Sequence, residues 1–168
     1  MTSSGPFDPI ELLRRLVDGG VRFVVIGGIA AQYRGAPVFT FDLDICHARD
    51  RSNLEALATV LGSMNARLRG APADLPFVCD WRTLHNGDSF TFVTDLGDFD
   101  ILGTPVGSGG FAALAPAAVP YDLGDFEVLV ASIDDLMAMK RAAGRAKDLA
   151  ALEILGALRE EVDRRPVD

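Results

Sequence analysis

Two aspartates held on one face of a short strand constrain this chain more than any other feature. From Val38 to Cys46 the residues alternate, with Phe39, Phe41, Leu43 and Ile45 on one side and Thr40, Asp42 and Asp44 on the other. A period of two is the mark of a β-strand with one buried and one open face. Both carboxylates therefore point the same way, roughly 7 Å apart along the strand. At that spacing they repel unless something positive lies between them, and an oxygen-liganded divalent cation is the usual reason to keep such a pair.

The pair is preceded by a strand, a turn and a helix. Val21 to Ile26 is a short β-branched run that reads as a buried strand, ended by Gly27-Gly28. Ile29 to Arg34 then reads as a helix closed by Gly35. A glycine pair at the start of a helix leaves bare backbone amides, which favour a phosphate. Further on, Asp98-Phe99-Asp100-Ile101-Leu102 is another short strand, with two acids on one face. Either acid could join the first two. Asp100 is preferred because it precedes the apolar pair Ile101-Leu102, as a carboxylate embedded in a strand should. Three carboxylates around one or two Mg²⁺ ions form the arrangement that phosphoryl and nucleotidyl transfer require.

The remaining pattern is mixed. Asp8-Pro9 opens a helix with an apolar stripe at Leu12, Leu13, Leu16 and Val17, stopped by Gly19-Gly20. A second helix is expected from about Arg51 to Leu61, and a weak strand at Ala66 to Leu68. Residues Arg69 to Pro76 read as a loop. Val78 to Leu84 and Ser89 to Thr94 are expected to pair as strands across His85-Asn86-Gly87-Asp88, because Asn-Gly is a strong turn signal. Gly103 to Gly110 reads as a glycine-rich loop, Phe111 to Ala115 as a brief helix, and Val119 to Val130 as two extended pieces broken at Gly124. Ser132-Ile133-Asp134-Asp135 caps a helix that Gly144 interrupts. A last helix runs from about Ala146 to Glu161, ahead of an Arg164 to Asp168 tail expected to fray. The expected fold class is α/β (α+β), a mixed β-sheet flanked by helices with a C-terminal helical pair.

At 168 residues, 49% of them hydrophobic, the chain has enough apolar material for one self-folding domain spanning residues 1–168. The formal net charge of −8 excludes a global electrostatic footprint for nucleic acid, so any RNA contact must be local. Cys46 and Cys79 lack the spacing of a disulfide scaffold or a zinc site and read as buried thiols. No apolar run approaches a membrane span, and Met1 to Pro9 has no signal-peptide pattern, so a cytoplasmic location is expected.

The chain resembles the nucleotidyltransferase superfamily. The resemblance is carried by Ile26-Gly27-Gly28-Ile29-Ala30-Ala31, Thr40-Phe41-Asp42-Leu43-Asp44-Ile45 and Asp98-Phe99-Asp100-Ile101-Leu102, in that order, and extends from about Val21 to Leu155. Through the stretch Asp135 to Leu149 it is most similar to bacterial nucleotidyltransferase-like toxins of the AbiEii and MenT type. The resemblance implies Mg²⁺ or Mn²⁺ held by Asp42, Asp44 and Asp100, with an NTP as substrate. It further implies that Lys140 reaches the triphosphate, that Asp148 positions it, and that Gly27, Gly28 and Arg145 contribute to nucleotide binding. In the toxin-like reading an NMP passes to the 3′ end of tRNA, and a cognate antitoxin protein restrains the activity. A protein hydroxyl, a small molecule such as an aminoglycoside, or a non-catalytic nucleotide-binding module acting through a partner are the alternatives. The chain departs from many superfamily members in having Ile29 where a serine commonly follows the glycine pair, so backbone amides must suffice there.

Other residues invite weaker roles. Arg34, Arg141 and Arg145 form a candidate local basic rim for phosphates or an RNA end. His47, three residues after Asp44, either touches the metal or ends the strand. His85 beside the expected turn is solvated, and Trp81 with Phe77 belongs either to the core or to a base-stacking platform.

Overall fold

The computed structural model describes residues 5–165. Its centre is a seven-stranded sheet in the order β3-β4-β5-β2-β1-β7-β6. These are β1 (Phe23–Ile26), β2 (Asp42–His47), β3 (Arg67–Leu68), β4 (Ser89–Thr94), β5 (Gly97–Leu102), β6 (Val119–Asp122) and β7 (Glu127–Val130). β2 runs parallel to β5 and β1 parallel to β7, whereas the other neighbours are antiparallel. The sheet is therefore mixed, with helices α1 (Pro9–Asp18), α2 (Gly27–Tyr33), α3 (Arg51–Ser63), α4 (Trp81–Asn86), α5 (Phe111–Leu114), α6 (Ile133–Ala143) and α7 (Ala146–Arg164) around it. No helix among the described residues is long and apolar enough to cross a membrane.

The central strands are placed by burial on one face. Leu43, Ile45, Phe99 and Ile101 alternate with the aspartates of β2 and β5 and are wholly enclosed. Leu12, Leu13 and Leu16 of α1 and Leu54, Leu57 and Leu61 of α3 belong to the same core. The α1 start is set as its sequence dictates, with the Asp8 side chain accepting from the Glu11 amide ahead of Pro9. Asn53 fastens α3 to the ends of the central strands β1 and β2: its buried amide accepts from the Arg22 nitrogen and donates to the Arg22 and Ala48 carbonyls. At the other end of the chain α6 closes at Gly144, whose φ of 66° only glycine adopts readily, and α7 folds back against α6.

Two local expectations are overturned. Residues 81–86 are helix, not strand, and β4 pairs with β3 and β5 instead of a preceding hairpin partner. The cause is Asp80, whose side chain accepts from the Thr83 amide and caps α4, while Leu84 buries. The Asn-Gly pair then serves as the end of that helix. Second, the strand carrying Asp42 begins only at Asp42, so Phe39 and Phe41 are not core residues but 96% and 80% exposed. β1 pairs β2 no further than Ile26 with Asp44, and β5 pairs it no further than Asp98 with Asp42. The residues before Asp42 therefore run past both neighbours. Elsewhere the differences are of one to three residues. β6 and β7 join in a hairpin in which the Leu123 amide donates to the Phe126 carbonyl, and α7 continues to Arg164. Part of the expected frayed tail, residues 166–168, lies outside the described residues.

Candidate active site

Register brings the acids together. The parallel pairing of β2 with β5 sets Asp42 beside Asp98 and Asp44 beside Asp100. One oxygen from each of Asp42, Asp44 and Asp100 lies within 4.8 Å of the others. Such a set of converging carboxylate oxygens suits a hard divalent cation. Asp98 belongs to the same strand but its carboxylate lies beside Arg69, at 3.3 Å from Nε.

The glycine pair is needed for close approach as well as for bare amides. Gly27 has φ of 70°, and a Cβ built there would lie 2.1 Å from Asp44 Oδ2. A Cβ on Gly28 would lie 2.9 Å from Thr40 Cβ. The start of α2 is thus pressed against the acid-bearing strand, which no side chain at position 27 permits. Thr40 completes the contact, its hydroxyl donating to Asp42 Oδ1 at 2.6 Å. The Gln32 amide fixes the intervening loop by donating to the Val38 carbonyl at 2.6 Å.

Electrostatics show how strained this gathering is. Burial first, then the charges of Asp42 and Asp100, push the Asp44 carboxyl up to about 8, and Lys140 opposes the rise. Asp100 is also raised, chiefly by burial, while the Arg69 guanidinium draws it down.

Opposite the acids stands a second built cluster. Asp148, with its side chain wholly enclosed, lies 3.3 Å from Lys140 Nζ and accepts from Arg145 Nε at 2.7 Å and from the Arg145 backbone amide at 3.1 Å. Those donors, the Arg145 side chain first, hold its carboxyl down to about 2. One anion thereby orients two cations at the junction of α6 and α7. The sign of the linkage is fixed: a carboxyl lowered in the folded state contributes stability that is complete above the unfolded value near 4 and is lost as pH falls through about 2. Urea unfolding between pH 5 and pH 2 should show a steep acid limb that Asp148→Asn flattens.

Between the clusters lies a cleft of about 610 Å³. Gly27, Gly28, Thr40, Asp42, Asp44, Asp100, Lys140, Arg145 and Asp148 all line it. Of the three arginines read as a basic rim, Arg145 lines the cleft, whereas Arg34 and Arg141 do not; Lys147 takes a place there. His47 is buried, with Nδ1 against the Ala48 carbonyl, and so ends the strand instead of facing the carboxylates. His85 is exposed. Trp81 is half-buried on α4, its ring covered by Arg51 and Arg82 at 4.5 and 5.0 Å, and it does not line the cleft. Cys46 is buried, and Cys79 is partly so.

Three residues escaped the sequence reading of the site. Thr40 stood on the right face without a role, two residues before the Asp42 carboxylate to which its hydroxyl donates. Lys147 was passed over beside Lys140. Arg69 carried no local signal at all, because the carboxylate that it binds is 31 residues away.

The chain matches no family model and no curated protein sequence. Its fold is similar to the crystal structure of the TM1012 protein of Thermotoga maritima, provisionally assigned as a nucleotidyltransferase. The two align with a TM-score of 0.51 and 15% identity, over 96% of this chain and 98% of that one. At that identity the likeness is one of fold, and it covers both the sheet and the C-terminal helical pair.

Proposed function

We propose that this protein is a metal-dependent nucleotidyltransferase, moving an NMP from an NTP to an acceptor hydroxyl with release of pyrophosphate. The observation that carries the reading is the convergence of oxygens of Asp42, Asp44 and Asp100 within 4.8 Å of one another in a cleft that Lys140 and Arg145 also line. Asp42, Asp44 and Asp100 would hold Mg²⁺ or Mn²⁺. The bound cation would supply charge neutralisation at the triphosphate and a lowered pKa for the acceptor hydroxyl.

The chain's own residues account for the rest. Lys140 and Arg145 bind the β- and γ-phosphate oxygens, a compact ammonium and a forked guanidinium offering complementary contacts. Asp148 fixes both cations before substrate arrives, so less ordering is needed on binding. Gly27 and Gly28 leave the backbone bare where the phosphates lie. Thr40 holds Asp42 in its orientation through the 2.6 Å hydrogen bond. The cleft thus carries both charges, a carboxylate cluster suited to the cation and basic groups suited to the phosphates.

The acceptor is read as the 3′ end of tRNA, with the protein acting as the toxin of a toxin–antitoxin pair. The support is the resemblance of residues 135–149 to such toxins. A second reading, a protein hydroxyl, is favoured by the chain's net charge of −8 and by the exposed apolar side chains of Phe39 and Val106, which line the cleft. The test is incubation of the full chain with each α-labelled NTP and Mg²⁺, with total tRNA or with bacterial protein as acceptor. Label on tRNA that disappears with Asp42→Ala supports the first acceptor, and label on protein supports the second. Absence of transfer to either, across all four nucleotides, rejects both.

A further inference from the structure

Arg69 follows the two-residue edge strand β3, and its backbone amide donates to the Thr91 carbonyl of β4 at 2.9 Å. From there its side chain reaches across β4 to β5. Nη2 donates to the Phe92 carbonyl at 2.9 Å and to Asp100 Oδ1 at 2.7 Å, while Nε lies 3.3 Å from Asp98 Oδ2. The guanidinium is about two-thirds covered and the Asp100 carboxylate more so. This is a charge-assisted bond in a partly enclosed place, stronger and more directional than an exposed ion pair.

A carboxylate on a strand can rotate about its terminal bond, and a cation cluster needs it in one orientation. The Phe92 carbonyl, part of the sheet backbone, holds the guanidinium still. The guanidinium in turn binds Asp100 Oδ1, and one oxygen of the same carboxylate lies within 4.8 Å of an oxygen of Asp42 and of Asp44. We infer that Arg69 is a positioning residue, which fixes the third carboxylate of the site so that it presents one oxygen to a shared divalent cation. The inference rests on the nucleotidyl-transfer reading of the same cleft. Arg69 itself touches neither nucleotide nor acceptor, and its absence from the residues lining the cleft agrees with that.

A merely structural role, pinning β3 to the sheet, makes different predictions. The experiment compares the full chain with Arg69→Met, Arg69→Lys and Asp98→Asn, using Mn²⁺ titration followed by electron paramagnetic resonance without nucleotide, and steady-state transfer. With Arg69→Met, Mn²⁺ affinity should fall about tenfold and kcat about a hundredfold, while KM for the NTP stays within about threefold. Arg69→Lys, which keeps a donor and a charge, should recover most of both losses. Asp98→Asn, which leaves the Asp100 bond in place, should bind Mn²⁺ as the unaltered chain does. Unchanged or tighter Mn²⁺ binding by Arg69→Met, with the unaltered chain binding Mn²⁺ and Asp42→Asn abolishing it, overturns the role of Arg69 and leaves the wider reading standing. Failure of the unaltered chain to bind Mn²⁺ overturns both.

Discussion

Asp44→Asn should abolish the proposed nucleotidyl transfer and, in cation-free buffer above neutral pH, should make the protein more stable. The activity loss should be on the order of 10³-fold in kcat, the scale of removing an electrostatic group that acts on the transition state. The stability gain has a separate cause. Asp44 is enclosed beside two other carboxylates, and its pKa of about 8 records how unfavourable its ionised form is there. A carboxyl whose folded value is raised binds a proton that the unfolded chain lacks. Its contribution to stability is therefore complete below about pH 4 and is lost as pH rises through about 8. Asparagine has the same shape and no charge to lose, so the variant should gain roughly 1–3 kcal/mol at pH 8.5 and about nothing at pH 5. Thermal unfolding across that range, with and without Mn²⁺, checks the claim. Mn²⁺ should raise the midpoint of the unaltered protein strongly at pH 8 and that of the variant little.

The second large effect belongs to a residue with no side chain. Gly27→Ala should disable the site although every charged residue remains. The new methyl group would be built 2.1 Å from Asp44 Oδ2, on a backbone with φ of 70°. The left-handed backbone alone costs about 1–2 kcal/mol for an L-residue, and the contact can be relieved only by moving the carboxylate or the start of α2. A displacement of about 1 Å at a reacting centre costs about 10²-fold in rate. The variant should thus lose roughly two orders of magnitude in kcat and about 2–3 kcal/mol of stability by urea unfolding. Gly28→Ala, whose Cβ would lie 2.9 Å from Thr40 Cβ but which needs no left-handed backbone, should be milder. Equal activity in Gly27→Ala and the unaltered protein would mean that the turn and Asp44 are not packed as described.

These contrasts show which parts of the molecule are written locally and which are not. The alternation through Asp42 and Asp44, the glycine pair, and the capped helices α1 and α6 are short-range patterns, and the chain forms them where its sequence places them. The extent of a strand is different, because it depends on partners. Phe39 and Phe41 continue the alternation but find no neighbouring strand, so identical periodicity gives buried residues on one side of Asp42 and exposed ones on the other. At Asp80 two local signals competed, a helix cap and an Asn-Gly turn, and the cap prevailed because Leu84 could bury. The choice of Asp100 over Asp98 rested on a neighbouring apolar pair; the parallel register sets Asp98 level with Asp42 and Asp100 level with Asp44 alike, and it is an oxygen of Asp100 that lies in the cluster with Asp42 and Asp44. Arg69 lies beyond any such reasoning. Its partners are made by the antiparallel pairing of β3, β4 and β5, a contact that exists only after the sheet has formed.

The two clusters that line the cleft, the three carboxylates and the group of Lys140, Arg145 and Asp148, mean little unless a particular phosphorus is attacked. The decisive measurement supplies the full chain with Mg²⁺ and acceptor RNA or protein, using one NTP labelled at the α-phosphate and, in parallel, the same NTP labelled at the γ-phosphate. The account predicts that the α label becomes attached to acceptor while the γ label leaves as pyrophosphate, and that Asp42→Ala prevents both. Attachment of the γ label to acceptor, or its release as inorganic phosphate with nothing attached, would contradict it.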